Sequence, residues 1–309
     1  MFRLAHISDV HLGPLPAFKR RALLSKRVIG YANWRLNRKG DLHSGVLGGL
    51  MDHLFAVNPD HLAITGDLVN LALPEEIEIV RLWLAELGPA TDISIVPGNH
   101  DTYVPGALDK IIKSWKPWMQ GDEPVNGNPF PYRRDREQVA LIGTNSGRAT
   151  APFMATGSWH RAQDKDTAEL LRQTKADGQF RVVMIHHPPF RNATSQHKRL
   201  IGSRRFRDMI AREGAELILH GHTHIVSNER IDGPDGPVPV IGVPSASHGA
   251  RLLGGKGRPG ARYNLFDISG SPRAWSCRQQ QFGYADGDDT ITQLDDRLVA
   301  IPGQSAADE

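Results

Sequence analysis

The feature that most constrains this chain is a repeated unit: a short apolar, β-branched run that ends at once in polar residues. Such runs occupy 2–8, 61–65, 93–96, 139–144, 181–186 and 216–220. Continuous apolar runs of this length predict strands buried on both faces. Between them lie helical patterns. Residues 46–57 repeat Leu47, Leu50, Met51, Leu54 and Phe55 at helical spacing. Residues 74–87 open with Pro74 and stop before Gly88, and 159–175 and 198–213 are two further helices, the second ending before Gly214. Strand alternating with helix predicts an α/β fold. Residues 238–247, 262–268 and 274–282 then follow one another without long helical gaps, predicting a second, antiparallel group of strands. With no internal repeat and no linker, the expectation is one domain over 1–283 containing both sheets. An acidic tail, 284–309, is the expected loosely attached part.

Composition narrows the class. Hydrophobic residues make up 39% of the 309 and charged residues 23%, as in soluble globular proteins. No stretch approaches the roughly 20 apolar residues of a membrane span. Cys277 is the single cysteine, which excludes a disulfide within the chain and a thiolate zinc cluster. The first residues lack the apolar run of a signal peptide, so a cytoplasmic location is expected.

Five polar clusters stand directly after five of the predicted strands: Asp9-Val-His11, Gly66-Asp67, Gly98-Asn99-His100-Asp101, His186-His187, and Gly221-His222-Thr223-His224. In open α/β sheets, sites assemble at the carboxyl ends of strands. Carboxylates, imidazoles and one amide, with no thiolate, suit a divalent ion such as Mn, Fe or Zn. Seven candidate ligands are too many for one tetrahedral ion, and suit two ions sharing a bridging carboxylate.

The order DxH, GD, GNHD, H, GHxH resembles the calcineurin-like metallophosphoesterase family, with its motifs running from Asp9 to His224. Within that family the chain is most similar to bacterial cyclic-nucleotide phosphodiesterase-type members, whose late strand reads like the VPSAS of 243–247. The resemblance implies two packed mixed β-sheets flanked by helices. It implies one metal held by Asp9, His11 and His224, another by Asn99, His186 and His222, and Asp67 bridging them. It further implies attack on phosphorus by metal hydroxide, with His100 as general acid. Asp101 is expected to orient His100.

The remaining polar residues are weaker candidates. His187 and His248 are weighed as substrate contacts against packed histidines, and His197 as a lid residue against a solvated loop histidine. The segment 14–43 carries eight Lys or Arg against one acid, Asp41, with Tyr31 and Trp34 among them. The plainest reading is a surface helix with wet basic heads. A wall that attracts an anionic phosphodiester through Tyr31 and Trp34 comes second. An anionic lipid or membrane surface met by 19–39 is third, and nucleic acid last. The expected activity is a phosphodiesterase acting on small phosphodiesters such as cyclic nucleotides or glycerophosphodiesters. A phospholipid or nucleotide-sugar hydrolase is the alternative, a non-catalytic scaffold ranks low, and a homo-oligomer is left open.

Overall fold

The computed structural model describes residues 1–15, 26–27, 31, 44–125, 127–249, 259–285 and 290–303. Most of the basic segment, including Trp34, lies outside them, as does the acidic end 304–309.

The apolar runs form strands where the pattern places them. They are β1 (Phe2–Ile7), β2 (His61–Ile64), β3 (Ile93–Ile95), β5 (Val139–Gly143), β7 (Phe180–Met184) and β9 (Leu217–His220). Four helices follow the helical patterns: α1 (Ser44–Ala56), α2 (Pro74–Leu87), α4 (Arg161–Ala176) and α5 (Ser203–Glu213). Unforeseen are α3 (Ala107–Trp115), β4 (Tyr132–Arg136), the short β6 (Gly157–Ser158) and β8 (Leu200–Ile201), and β10 (Ser227–Ile231). β11 (Val238–Gly242), β12 (Arg262–Ser269), β13 (Ser276–Tyr284) and β14 (Ile291–Leu298) complete the order.

Two six-stranded mixed sheets face one another, with strand orders β14-β13-β12-β1-β2-β3 and β10-β11-β9-β7-β5-β4. The late strands are therefore not a sheet of their own. β12 to β14 extend the first sheet antiparallel to β1, while β11 runs parallel to β9 in the second. Part of the acidic segment expected to hang loose is strand β14, paired with β13.

Side-chain alternation in the second sheet divides two cores. Leu141, Val182, Met184, Leu217 and Leu219 join the large core shared with the first sheet and with Leu50, Leu54, Val80 and Leu84 of α1 and α2. Ile142, Val183, Ile185 and Ile218 pack instead with Leu171, Phe206, Met209 and Ile210 of α4 and α5. No helix among the described residues is long and apolar enough to cross a membrane.

Candidate metal centre

Every proposed ligand lies just beyond the carboxyl end of a parallel strand. Asp9 and His11 follow β1, Asp67 follows β2, Asn99 follows β3, His186 follows β7, and His222 and His224 follow β9. The two sheets touch at this rim. Ser8 and Ser245 form a parallel bridge, and the Ser245 hydroxyl donates to the Asp9 carbonyl at 2.6 Å.

The chain turns sharply at these residues. Asp9, His11, Asp67, His222 and His224 have φ of 52°, 42°, 57°, 71° and 57°. Residues other than glycine rarely enter that region, and each costs about 1–3 kcal/mol. Local bonds hold the strain: the N–H groups of Asp9 and His11 donate to the Gly66 and Asp67 carbonyls, both at 2.9 Å, and His222 N–H donates to Asp9 Oδ2 at 2.9 Å. Gly66 permits the close approach, since a Cβ there would lie 2.6 Å from Gly98 N and 2.9 Å from His186 Nδ1.

The side chains converge around Asp67. Its Oδ2 is 3.9 Å from His11 Nε2 and 3.5 Å from His186 Nε2. On one side, Asp9 Oδ1 stands 3.0 Å from His224 Nε2 and 3.9 Å from His11 Nε2. On the other, Asn99 Oδ1 is 3.2 Å from His186 Nε2, whose ring lies 5.1 Å from that of His222.

Backbone carbonyls set the histidine tautomers. His11 Nδ1 bonds Val69 O at 3.1 Å, His186 Nδ1 bonds Thr65 O at 2.6 Å, and His222 Nε2 bonds Lys198 O at 2.9 Å. A carbonyl only accepts, so these nitrogens carry hydrogens, and in the neutral ring the opposite nitrogen keeps the lone pair a metal would take. Metal-binding histidines are anchored in this way. Buried His224 Nδ1 makes no hydrogen bond. A buried polar atom left so costs about 1–3 kcal/mol unless another partner satisfies it. These groups could hold metal ions.

Electrostatics agree. Burial opposes ionisation of Asp9 and Asp67, yet neighbouring imidazoles, chiefly His224 and His186 respectively, hold both carboxyls well below the usual range. Burial likewise opposes charge on His186, but Asp67 and Asp9 hold it up at about 9, so the cluster favours positive charge. His222 is kept neutral, down at about 3, by burial and by His186.

His100 is half-buried, its ring edge-on to His11 at 4.8 Å and stacked on Tyr103 at 5.6 Å. Its Nδ1 bonds the Asn70 carbonyl at 2.6 Å. Asp101 does not take the orienting role expected of it. Its carboxylate accepts the N–H groups of Asp67, Leu68, Val69 and Gly98 at 2.7 to 3.2 Å. It is thus spent on shaping the ligand loop, and a carbonyl of that loop orients His100. Burial, then the Asp67 charge, push the Asp101 carboxyl up to about 7, while its N–H donors favour the ionised form. Glu76 serves the next stretch, accepting from the N–H groups of Asn70, Leu71 and Leu73.

The weaker candidates separate clearly. His187 is fully buried, with Nδ1 bonded to the Ser146 hydroxyl at 2.8 Å and Nε2 to the Ala155 carbonyl at 3.2 Å, so it packs beside the ligands as a neutral residue instead of facing substrate. His197 is exposed, with Nε2 3.3 Å from the Ser195 hydroxyl. His248 is buried against His224, ring centres 4.9 Å apart. Tyr31 is half-buried against the main core. The heads of Lys26 and Arg27 are not simply wet. Lys26 Nζ donates to Thr150 Oγ1 and to the Met154 carbonyl, at 2.6 and 2.8 Å, and lies 4.5 Å from the Tyr103 ring centre. Arg27 donates to the Leu71 and Ala72 carbonyls at 2.9 and 2.5 Å. These two neighbours tie the basic segment to both sides of the rim.

Comparison with known proteins extends this picture. Glycerophosphodiester phosphodiesterase GpdQ of Enterobacter lignolyticus (strain SCF1) is 26% identical over 234 residues, 72% of this chain and 70% of that protein. The fold is similar to that of a dimetal phosphatase from Danio rerio, at TM-score 0.62 and 11% identity over 96% of this chain and 98% of the other. It is similar also to purple acid phosphatase PPD1 from yellow lupin (Lupinus luteus), at TM-score 0.56 and 10% identity over 99% of this chain and 54% of the other. The family described as Calcineurin-like phosphoesterase matches residues 2–226, which include every ligand candidate from Asp9 to His224. The chain belongs to the calcineurin-like phosphoesterase family and is a metal-dependent phosphoester hydrolase.

Proposed function

We propose that this protein is a dinuclear metal-dependent phosphodiesterase acting on small phosphodiesters, with glycerophosphodiesters ahead of cyclic nucleotides. The observation that carries the proposal is the place of Asp67, with its Oδ2 3.9 Å from His11 Nε2 and 3.5 Å from His186 Nε2. A carboxylate between two such groups suits a bridge between two ions. The relative named as a glycerophosphodiester phosphodiesterase supports the order of substrates.

Asp9, His11 and His224 would hold one ion, Asn99, His186 and His222 the other, with Mn, Fe and Zn the metals that fit the donors. Two such ions supply Lewis acidity and make bound water nucleophilic near neutral pH. The chain's own part is positioning and proton transfer. His100, its Nδ1–H held by the Asn70 carbonyl, would give the departing ester oxygen the Nε2 proton of its imidazolium form as general acid and be left as the neutral Nδ1–H ring. Tyr103 stacks on that ring and limits its rotation. A cytoplasmic setting belongs to the proposal.

The test is a substrate panel on enzyme of measured metal content: glycerophosphodiesters, cyclic nucleotides, phospholipids and monoesters side by side. Glycerophosphodiesters should show the highest kcat/KM. Faster turnover of monoesters than of every diester would defeat the assignment.

A further inference from the structure

A second feature of the rim has no role in the chemistry above. Ala151-Pro152-Phe153-Met154 forms a turn closed by a bond from Met154 N–H to the Ala151 carbonyl at 3.1 Å. Pro152 takes the second position and Phe153 the third, where φ is +65°. A turn of this kind wants glycine or asparagine at the third position, and a bulky residue there is an outlier. Phe153 gains no burial in return, for 78% of it is exposed. A lone exposed apolar residue needs no explanation. One held out in a strained turn points to function.

The turn is also clamped. Lys26 Nζ donates to Thr150 Oγ1 and to the Met154 carbonyl, and Thr150 Oγ1 donates to that carbonyl as well, so one ammonium closes both ends of the turn. Phe153 is thereby presented on a preorganised platform.

The surroundings are basic. The turn leads into β6, which pairs with β8, and Ala155 and Gly157 donate to the carbonyls of His197 and Arg199. The segments 145–163 and 185–207, joined by this pairing, contain eight Lys or Arg and no acid, with Asp164 and Asp208 just beyond their ends. Arg199 is exposed, and Arg204, with 89% of its side chain accessible, lies 3.7 Å from the Asp208 carboxylate, an exposed pair that leaves its head open to other anions. This surface backs directly onto the metal centre, because the Lys198 carbonyl holds His222 and the Ala155 carbonyl holds His187.

We propose that this basic surface, with Phe153 exposed on its turn and Arg199 exposed on the segment paired with β6, docks on an anionic lipid bilayer. An exposed aromatic ring on a basic surface matches the boundary between headgroups and acyl chains, with the ring at the boundary and the charges on lipid phosphates. A single aromatic does not make the series of stacking platforms that single-stranded nucleic acid uses. The docking rests on this surface alone. Its consequence, that the enzyme reaches a phosphodiester resident in that bilayer, rests on the function proposed above.

The test is co-sedimentation of the intact protein with vesicles of phosphatidylcholine, with and without phosphatidylglycerol. The parent protein should bind the anionic vesicles only, and added salt should release it. Phe153→Ser should weaken binding about tenfold, the effect of withdrawing one aromatic side chain from an apolar layer. Arg199→Ser with Arg204→Ser should weaken it roughly thirtyfold, the effect of two basic charges near the surface. Phe153→Gly suits the turn, so it should melt no lower than the parent and still lose vesicle binding. Failure of the parent to bind anionic vesicles overturns the proposal. So does binding unchanged in both the Phe153 and the arginine variants, which would assign it to 19–39, or a single-stranded oligonucleotide bound more tightly than vesicles. All variants should keep hydrolysis of a soluble nitrophenyl phosphodiester. If the parent hydrolyses no phosphodiester, the proposed function falls while the vesicle result still decides the docking.

Discussion

His100 Nδ1 lies 2.6 Å from the carbonyl oxygen of Asn70, three residues beyond the central carboxylate Asp67. That contact fixes which nitrogen carries the ring hydrogen and leaves Nε2 for chemistry. The loop that carries Asn70 is itself held by two buried carboxylates. Asp101 takes the N–H groups of residues 67 to 69, and Glu76 takes those of Asn70, Leu71 and Leu73. Outward, its carbonyls at Val69 and Asn70 hold His11 and His100. One short loop thus positions both His11 and His100, and its geometry depends on the buried carboxylates of Asp101 and Glu76.

His100→Ala should keep its metal content and lose activity unevenly. A diester with an alkoxide leaving group needs a proton at departure, so kcat/KM should fall about 100- to 10,000-fold. A nitrophenolate leaves without one and should lose far less. Plotting rate against leaving-group pKa for both proteins checks this, and parallel lines would remove His100 from the acid role.

Asp67→Ala should empty the site. The carboxylate faces nitrogens from both ligand groups, so its loss leaves two incomplete sets. Mass-spectrometric metal analysis after dialysis should find well under half of the parent's content. Full dinuclear occupancy in the variant would defeat the bridging assignment.

Much of this was legible in the sequence, for physical reasons. Strands of an α/β sheet must be apolar throughout, and their ends must become polar where a site forms, so Asp9, Asp67, Asn99, His186, His222 and His224 stood out by type and place. What holds them did not. The partners of His11, His100, His186 and His222 are backbone carbonyls, and a carbonyl has no signature in a sequence. Asp101 next to His100 suggested a pair, but adjacent residues diverge at a turn, and four N–H groups were nearer. Ser245 lay in a string noted only for its likeness to relatives, and its bond to the Asp9 carbonyl needs two sheets to meet. Strand β4, with sequence YRRDR, hides behind charge because its arginines reach back to the body: Arg134 donates to the carbonyls of Ala90, Ile93, Pro117 and Gln120.

Asp101→Asn separates shape from chemistry. The amide offers one acceptor where two are needed, and its NH2 faces backbone N–H groups. A buried carboxylate stripped of such bonds predicts a loss of about 3 kcal/mol. For a domain of this size that is a fall in Tm of roughly 6–12 °C. Calorimetry should show the drop, and the ratio of rates on good and poor leaving groups should stay near the parent's. A changed ratio with unchanged Tm would return Asp101 to the proton-transfer machinery.

Lys26 carries the last prediction. Burial pushes its ammonium down from 10.5 to about 8. Trace acetylation across a pH series, read at the Lys26 peptide, should place its midpoint there. The sign for stability follows from proton counting. A cation whose pKa is depressed by folding sheds its proton first in the folded chain. Between pH 8 and 10.5 the unfolded chain still holds a proton that the folded one has released, so this group makes stability rise with pH there. Below that window both states are protonated and its contribution is flat. Lys26→Met should remove the rise from a plot of Tm against pH. It should also loosen Tyr103, whose ring lies 4.5 Å from the ammonium and stacks on His100. Acetylation of Lys26 with a midpoint near 10.5 would show that the ammonium is not held at the rim.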